Sequence, residues 1–168
     1  MLTVKVAADV FVAVAMSLAL ARALEYPGKM RLDPSTYVAM QPIYYPAFAI
    51  GSGIGEGLGT ALTFVLLVTT PADSDQFNWI AAAFASLLAM QAIYWTVTHP
   101  ARNFLVEPTR SGLAARRFFG LSAIAQSIAR NERERLWPIL RQRWEVSHIV
   151  RAFFGFVSVV TIAVGVSI

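Results

Sequence analysis

The chain has 168 residues, of which 57% are hydrophobic and only 14% charged, with a mean hydropathy of +0.56. Average soluble domains are about 45–50% apolar and about 25% charged, so the composition points to a membrane protein of one domain. There is no cysteine, which excludes disulfides, thiolate metal ligands and redox thiols, and the net charge of +4 comes from arginines grouped in one loop, a topology signal rather than a nucleic-acid footprint.

Four segments are apolar enough to span, at approximately 2–24, 45–70, 77–98 and 147–168. Each approaches the ~20 residues that a helix needs to cross ~30 Å of hydrocarbon, and lipid leaves helices as the plausible spanning structure. The expected fold is all-α: a single domain over 1–168, a four-transmembrane-helix bundle with a cytoplasmic amphipathic helix between helices three and four.

The first segment carries Lys5 and Asp9 and lacks a short apolar run before a small-residue cleavage site, so it reads as a retained helix. Tyr26-Pro27-Gly28 should stop it. Asp33 before Pro34 reads as the N-cap of a short helix reaching Gln41, after which Pro42 and Pro46 should break the chain again. Helix two opens with glycines at 51, 55 and 59, one face at i, i+4, i+8, while Gly53 and Gly57 lie opposite. Such a face suits either close helix packing or a narrow ligand channel.

A tight turn, Pro71-Ala72-Asp73-Ser74-Asp75, leads to helix three and holds no basic residue. The loop after helix three carries Arg102, Arg110, Arg116, Arg117, Arg130, Arg133, Arg135, Arg141 and Arg143, and the loop after helix one carries Lys29 and Arg31, with Arg22 at its edge. The positive-inside rule places both basic loops in the cytoplasm and both termini outside a bacterial inner membrane. Gly112 to Arg135 reads as an amphipathic helix, suited to lying on the cytoplasmic leaflet or to meeting solvent or a partner. Trp144 beside Arg141 and Arg143 reads as an interfacial anchor.

Ionisable residues at membrane depth are functional candidates, because lipid makes them costly. Asp9 and Glu56 fall at comparable depth on antiparallel helices and could share a proton, ligate a cation or meet Lys5. A second group gathers at the cytoplasmic helix ends: Glu25, His99, Arg102, Asn103, Trp144, Glu145, His148 and Arg151. Both histidines of the chain are there. Trp144, His148 and Arg151 share a helix face, and Arg151 lies too deep for a surface charge, requiring a ligand or an ion pair with Glu25 or Glu145. A neutral-range histidine can take a weakly acidic proton while Arg or Trp N–H groups hold the anion. Metal binding by Glu25, Glu56, His99, Glu145 and His148 is the lesser reading, since carboxylate-bridged di-iron bundles need two Glu-x-x-His pairs and only Glu145/His148 is present.

Three stretches resemble a known family. Pro27 through Met30-Arg31-Leu32-Asp33-Pro34 to Ala39-Met40-Gln41-Pro42-Ile43 and Pro46-Ala47-Phe48, then Thr96-Val97-Thr98-His99-Pro100-Ala101-Arg102-Asn103, then Trp144 to Arg151 are similar, in order and spacing, to the anthrone-oxygenase-like family of small four-helix membrane proteins. Departures are the longer segment before Trp144 and His99 where the family often has asparagine. The resemblance implies oxidation of an anthrone to a quinone by dioxygen without metal or flavin, so no cofactor is expected. Asn103, Trp144, His148 and Arg151 match the family's motif positions.

The expected function is therefore an oxygenase-like membrane enzyme acting on a lipophilic aromatic or quinone-like substrate by acid/base-assisted oxidation. Its catalytic candidates are His148, Arg151, Trp144, Asn103 and His99, with Glu25, Glu56 and Tyr45 as substrate-binding candidates. Its partners would be membrane lipids, the lipophilic small molecule, and a membrane-protein partner or second copy. The alternatives are a non-enzymatic accessory subunit of a larger membrane complex, or a small transporter.

Overall fold

A computed structural model describes residues 2–106 and 130–168, with side chains described for all of these except 44–45, 103–106 and 130–134. The described residues are almost entirely helical, with no strand among them. The elements are α1 (Leu2–Leu24), α2 (Tyr26–Lys29), α3 (Pro34–Thr69), α4 (Asp75–Ile93) running through a π-helical turn (Tyr94–Thr98) into α5 (His99–Val106), and α6 (Arg130–Ser167). Four of these stretches, within 2–29, 46–69, 75–102 and 135–167, are long and apolar enough to cross a membrane. The amphipathic helix expected from Gly112 lies outside the described residues up to position 129.

The helices close a four-sided ring in which α1 packs between α3 and α6, α4 packs on α6, and α3 meets α4. On α1 the buried stripe is Ala8, Val12, Ala15 and Ala19, stepping by three and four residues, while Leu2, Val6, Val10 and Val14 are exposed. The polarity of an ordinary core is thus partly inverted. Large apolar side chains cover the outside, and Glu56, Glu145, His148 and Arg151 lie inside.

The glycine face at 51, 55 and 59 is a packing seam. A Cβ on Gly55 would lie 3.1 Å from the Ala15 backbone nitrogen, and one on Gly59 would lie 3.2 Å from Val12. Gly155 meets the Met16 backbone in the same way, at 3.1 Å, across the α1–α6 contact.

Several boundaries differ from expectation. Asp33 does cap a helix, its carboxylate accepting from the Ser35 and Thr36 backbone N–H groups at 2.9 and 3.1 Å. Hydrogen bonds from Ser35 and Thr36 hold that carboxyl well below the usual carboxylate range. But the helix it opens runs through Pro42 and Pro46 to Thr69 instead of breaking. Proline interrupts one backbone bond each time, and neighbouring packing keeps apolar helices continuous across such gaps. Likewise α6 runs through Pro138, joining the expected fourth span to the stretch before it. Trp144 is not an interfacial anchor: it is 0% exposed, packed with Tyr37 and Ala101. Arg141 takes the peripheral role, donating to the Leu32 carbonyl at 2.9 Å and lying over the Trp137 ring at 4.6 Å.

Candidate functional site

A cavity of about 290 Å³ lies inside the ring toward the end that carries α2 and α5. Its walls come from α1, α3, α4, the π-helical turn and α6. The π-helical turn has a local cause. Pro100 offers no N–H to the carbonyl four residues back, and its ring crowds that carbonyl, so the helix widens just before it. Three of the five residues in the widened turn, Tyr94, Trp95 and Thr98, line the cavity. Helix widenings of this kind frequently mark functional sites.

The polar floor is an ion pair between Arg151 of α6 and Glu56 of α3, each 4% exposed. Ser52, one turn before Glu56, donates from its hydroxyl to Glu56 Oε1 at 2.8 Å, the oxygen that also receives Arg151. Arg151 Nη1 lies 3.5 Å from His148 Nδ1, and the guanidinium sits over the Tyr94 ring at 5.1 Å. An ion pair this deep is tolerated because the charges compensate and further hydrogen bonds serve them. The Arg22 guanidinium also lines the cavity, 5.1 Å over the Phe48 ring. Phe48, Tyr94 and Trp95 supply an aromatic wall.

The exposed part of the lining is on the flank of the bundle. Ala49 and Gly53 of α3 are exposed there, and Trp95 is 60% exposed. A Cβ on Gly53 would meet nothing within 4 Å, so this glycine leaves the rim open, whereas Gly55 on the other face closes a helix contact.

Behind His148 a second polar network ties α6 to the segment after α1. The Tyr37 hydroxyl donates to Glu145 Oε1 at 2.5 Å, and Lys29 Nζ stands 2.6 Å from Glu25 and 3.9 Å from Glu145. Burial first, then the adjacent Glu145 carboxylate, holds the Tyr37 phenol well above its ordinary range. Thr98 and Ser147 hydroxyls meet at 2.9 Å, joining the π-helical turn to α6.

The structure brings His148, Arg151 and Glu56 to one cavity and puts the other candidates around it. Arg151 pairs with Glu56, not with Glu25 or Glu145, because those two carboxylates are engaged with Lys29 and Tyr37. Glu56 is therefore not shared with Asp9, and Lys5 reaches the Val166 carbonyl at 3.4 Å instead of Asp9. Trp144 backs His148, with ring centroids 5.9 Å apart, and does not line the cavity. His99 lies one layer out, 5.3 Å from the Trp95 ring and 6.0 Å from the Tyr94 ring. The side chains of Asn103 and Tyr45 lie outside the described residues. Among the described residues no three His, Asp or Glu side chains gather to hold a metal ion, so the set Glu25, Glu56, His99, Glu145 and His148 is not assembled.

Sequence reasoning missed Arg22, Ser52, Gln91, Tyr94 and Tyr37. Arg22 read as a loop-edge charge, and the others are residue types too common in helices to stand out. Proline at 100, six residues after Tyr94, was the available signal for a widened helix there. Compared with known proteins, the chain matches no family model, no curated protein and no solved structure.

Proposed function

We propose that this chain is a multi-pass inner-membrane enzyme that binds a planar, weakly acidic, lipophilic aromatic molecule and oxidises it with dioxygen. The observation that carries the reading is the cavity itself. A buried Arg151–Glu56–His148 cluster lies beneath an aromatic wall, and the rim at Ala49, Gly53 and Trp95 faces sideways from an apolar bundle. Exposed large apolar side chains on every long helix suit contact with lipid, so a ligand dissolved in the bilayer would reach this rim without crossing water. The basic first and third loops support a cytoplasmic position for them, with both termini outside.

The volume, about 290 Å³, lies just below the roughly 300–1,000 Å³ typical of small-molecule sites, which suits one compact fused-ring ligand. The reaction class comes from the resemblance to anthrone oxygenases. A methylene flanked by aromatic rings loses a proton, the carbanion reacts with dioxygen, and loss of water from the hydroperoxide leaves a carbonyl. The overall change is methylene plus dioxygen to carbonyl plus water. The protein's own part is to bind the ring, remove the proton and stabilise the anion, for which a buried guanidinium is well suited.

The reading is tested with the full chain in liposomes, following dioxygen uptake and quinone formation from a hydroxyanthrone. Saturable uptake above the spontaneous rate, one dioxygen per quinone, is expected. Gly53→Leu, which fills the open rim, should raise KM more than it lowers kcat. Uptake that never exceeds that of protein-free liposomes would end the oxygenase reading.

A further inference from the structure

Among the described residues, His148 Nε2, Arg151 Nε and Glu56 Oε2 of the cavity cluster have no hydrogen-bond partner, and the two N–H groups and the carboxylate oxygen have opposite chemistry. Arginine has no lone pair to offer, so in the contact between Arg151 Nη1 and His148 Nδ1, at 3.5 Å, the histidine nitrogen accepts. A neutral imidazole accepting at Nδ1 carries its proton on Nε2. His148 is 3% exposed, lines the cavity, and its Nε2 has no hydrogen-bond partner among the described residues. That atom is a buried donor without an acceptor, which is costly unless a ligand supplies one. Glu56 presents the complement. The bonds from Arg151 and Ser52 both fall on Oε1, and no hydrogen bond among the described residues uses Oε2.

We infer that Glu56 takes the substrate's proton on Oε2, while His148 donates a hydrogen bond from Nε2–H to the substrate oxygen on which negative charge collects. This rests on reading the cavity as the site of an acidic aromatic. The ligand class becomes narrower: a conjugated ring ketone that carries both an acidic C–H and a carbonyl oxygen able to accept charge. In the step, the C–H bond breaks, its proton bonds to Glu56 Oε2, and its electron pair delocalises onto the carbonyl oxygen. Nothing is oxidised or reduced, and His148 stays neutral.

Charge decides between the two candidate bases. Proton transfer to His148 would create an imidazolium beside the Arg151 guanidinium, both buried, where like charges repel strongly. Proton transfer to Glu56 conserves the cluster's charge pattern. The negative charge moves from the carboxylate to the substrate, and Arg151 remains next to both. Arg151 is thus the fixed counter-charge for the carboxylate before the step and for the enolate after it.

The test separates this step from oxygen chemistry. The full chain in liposomes is mixed with a hydroxyanthrone in D2O under nitrogen, and deuterium entering the methylene is read by mass spectrometry. The native protein should exchange it faster than protein-free liposomes do. Glu56→Gln should lose on the order of a hundredfold of that rate, the usual worth of a general base. His148→Gln places an amide N–H near the Nε2 position without a basic nitrogen, so it should stay within about threefold of native, while His148→Ala should fall well below it. If Glu56→Gln cannot be folded, the two His148 variants decide alone. His148→Gln as inactive as His148→Ala would overturn the inference, as would Glu56→Gln exchanging at the native rate. A native protein that gives no exchange would overturn the oxygenase reading and this inference together.

Discussion

Alanine should stabilise the protein at Gly57 but not at Gly55, although the two residues lie close together on one helix. At Gly55 the added Cβ would stand 3.1 Å from the Ala15 nitrogen, 3.3 Å from its Cα and 3.3 Å from a Val14 methyl. Two of those three atoms are backbone, so no rotamer change relieves the contact, and α1 must retreat by a few tenths of an ångström along the whole seam. Overpacking of this kind costs about 1–3 kcal/mol, against which glycine-to-alanine gains roughly 1 kcal/mol of helix propensity. At Gly57 a Cβ meets nothing within 4 Å, so only the propensity gain remains. For a chain of 168 residues each kcal/mol shifts Tm by roughly 2–4 °C. Gly57→Ala should therefore melt a few degrees above native, and Gly55→Ala at or several degrees below it. Gly55→Leu should fail to assemble. The assay is thermal unfolding of the detergent-solubilised protein followed by circular dichroism. Equal melting temperatures for the two alanine variants would refute the seam argument.

The Arg151–Glu56 pair should be strongly non-additive. Glu56→Gln alone leaves a buried guanidinium without its carboxylate and should cost about 3–5 kcal/mol, whereas Glu56→Gln with Arg151→Met should recover much of that in detergent unfolding, as neutral replacement of buried pairs does elsewhere. Tyr37 should not contribute to the alkaline rise in phenolate absorbance while the protein is folded, so native and Tyr37→Phe chains should titrate alike until they unfold. The sign follows from its raised folded value: the contribution of its bond to Glu145 is fully present below the ordinary phenol pKa of ~10 and is lost as pH rises toward the folded value. Because the chain has no native cysteine, Asp73→Cys and Arg31→Cys report topology directly. Impermeant maleimide should label Asp73→Cys in intact cells and Arg31→Cys only after permeabilisation, and the reverse would overturn the orientation.

The four apolar helices were legible in the sequence because the physics that selects them is local. Runs of about twenty apolar residues are set by composition and length, and the Asp33-Pro34 cap by two adjacent residues. The i, i+4 glycine face was legible too, since helical periodicity assigns residues to faces before any partner is known. Its partner was not: that Gly55 meets Ala15, and that Gly53 instead opens a cavity rim, depends on how four helices are arranged around one another. The same division holds at the site. Sequence spacing put His148 and Arg151 on one face, but the carboxylate that answers Arg151 lies 95 residues away in the chain, and Glu25 and Glu145 were equally eligible until the packing engaged them elsewhere. The prolines show the limit of local rules most plainly. Pro42 and Pro46 each remove one backbone bond, which read alone predicts a break, yet α3 continues through both from Pro34 to Thr69. Local sequence determines which segments become helices and which faces can bury. Which buried charges meet is decided only when the helices pack, because each charge takes its partner across helices, from whatever counter-charge the bundle brings beside it.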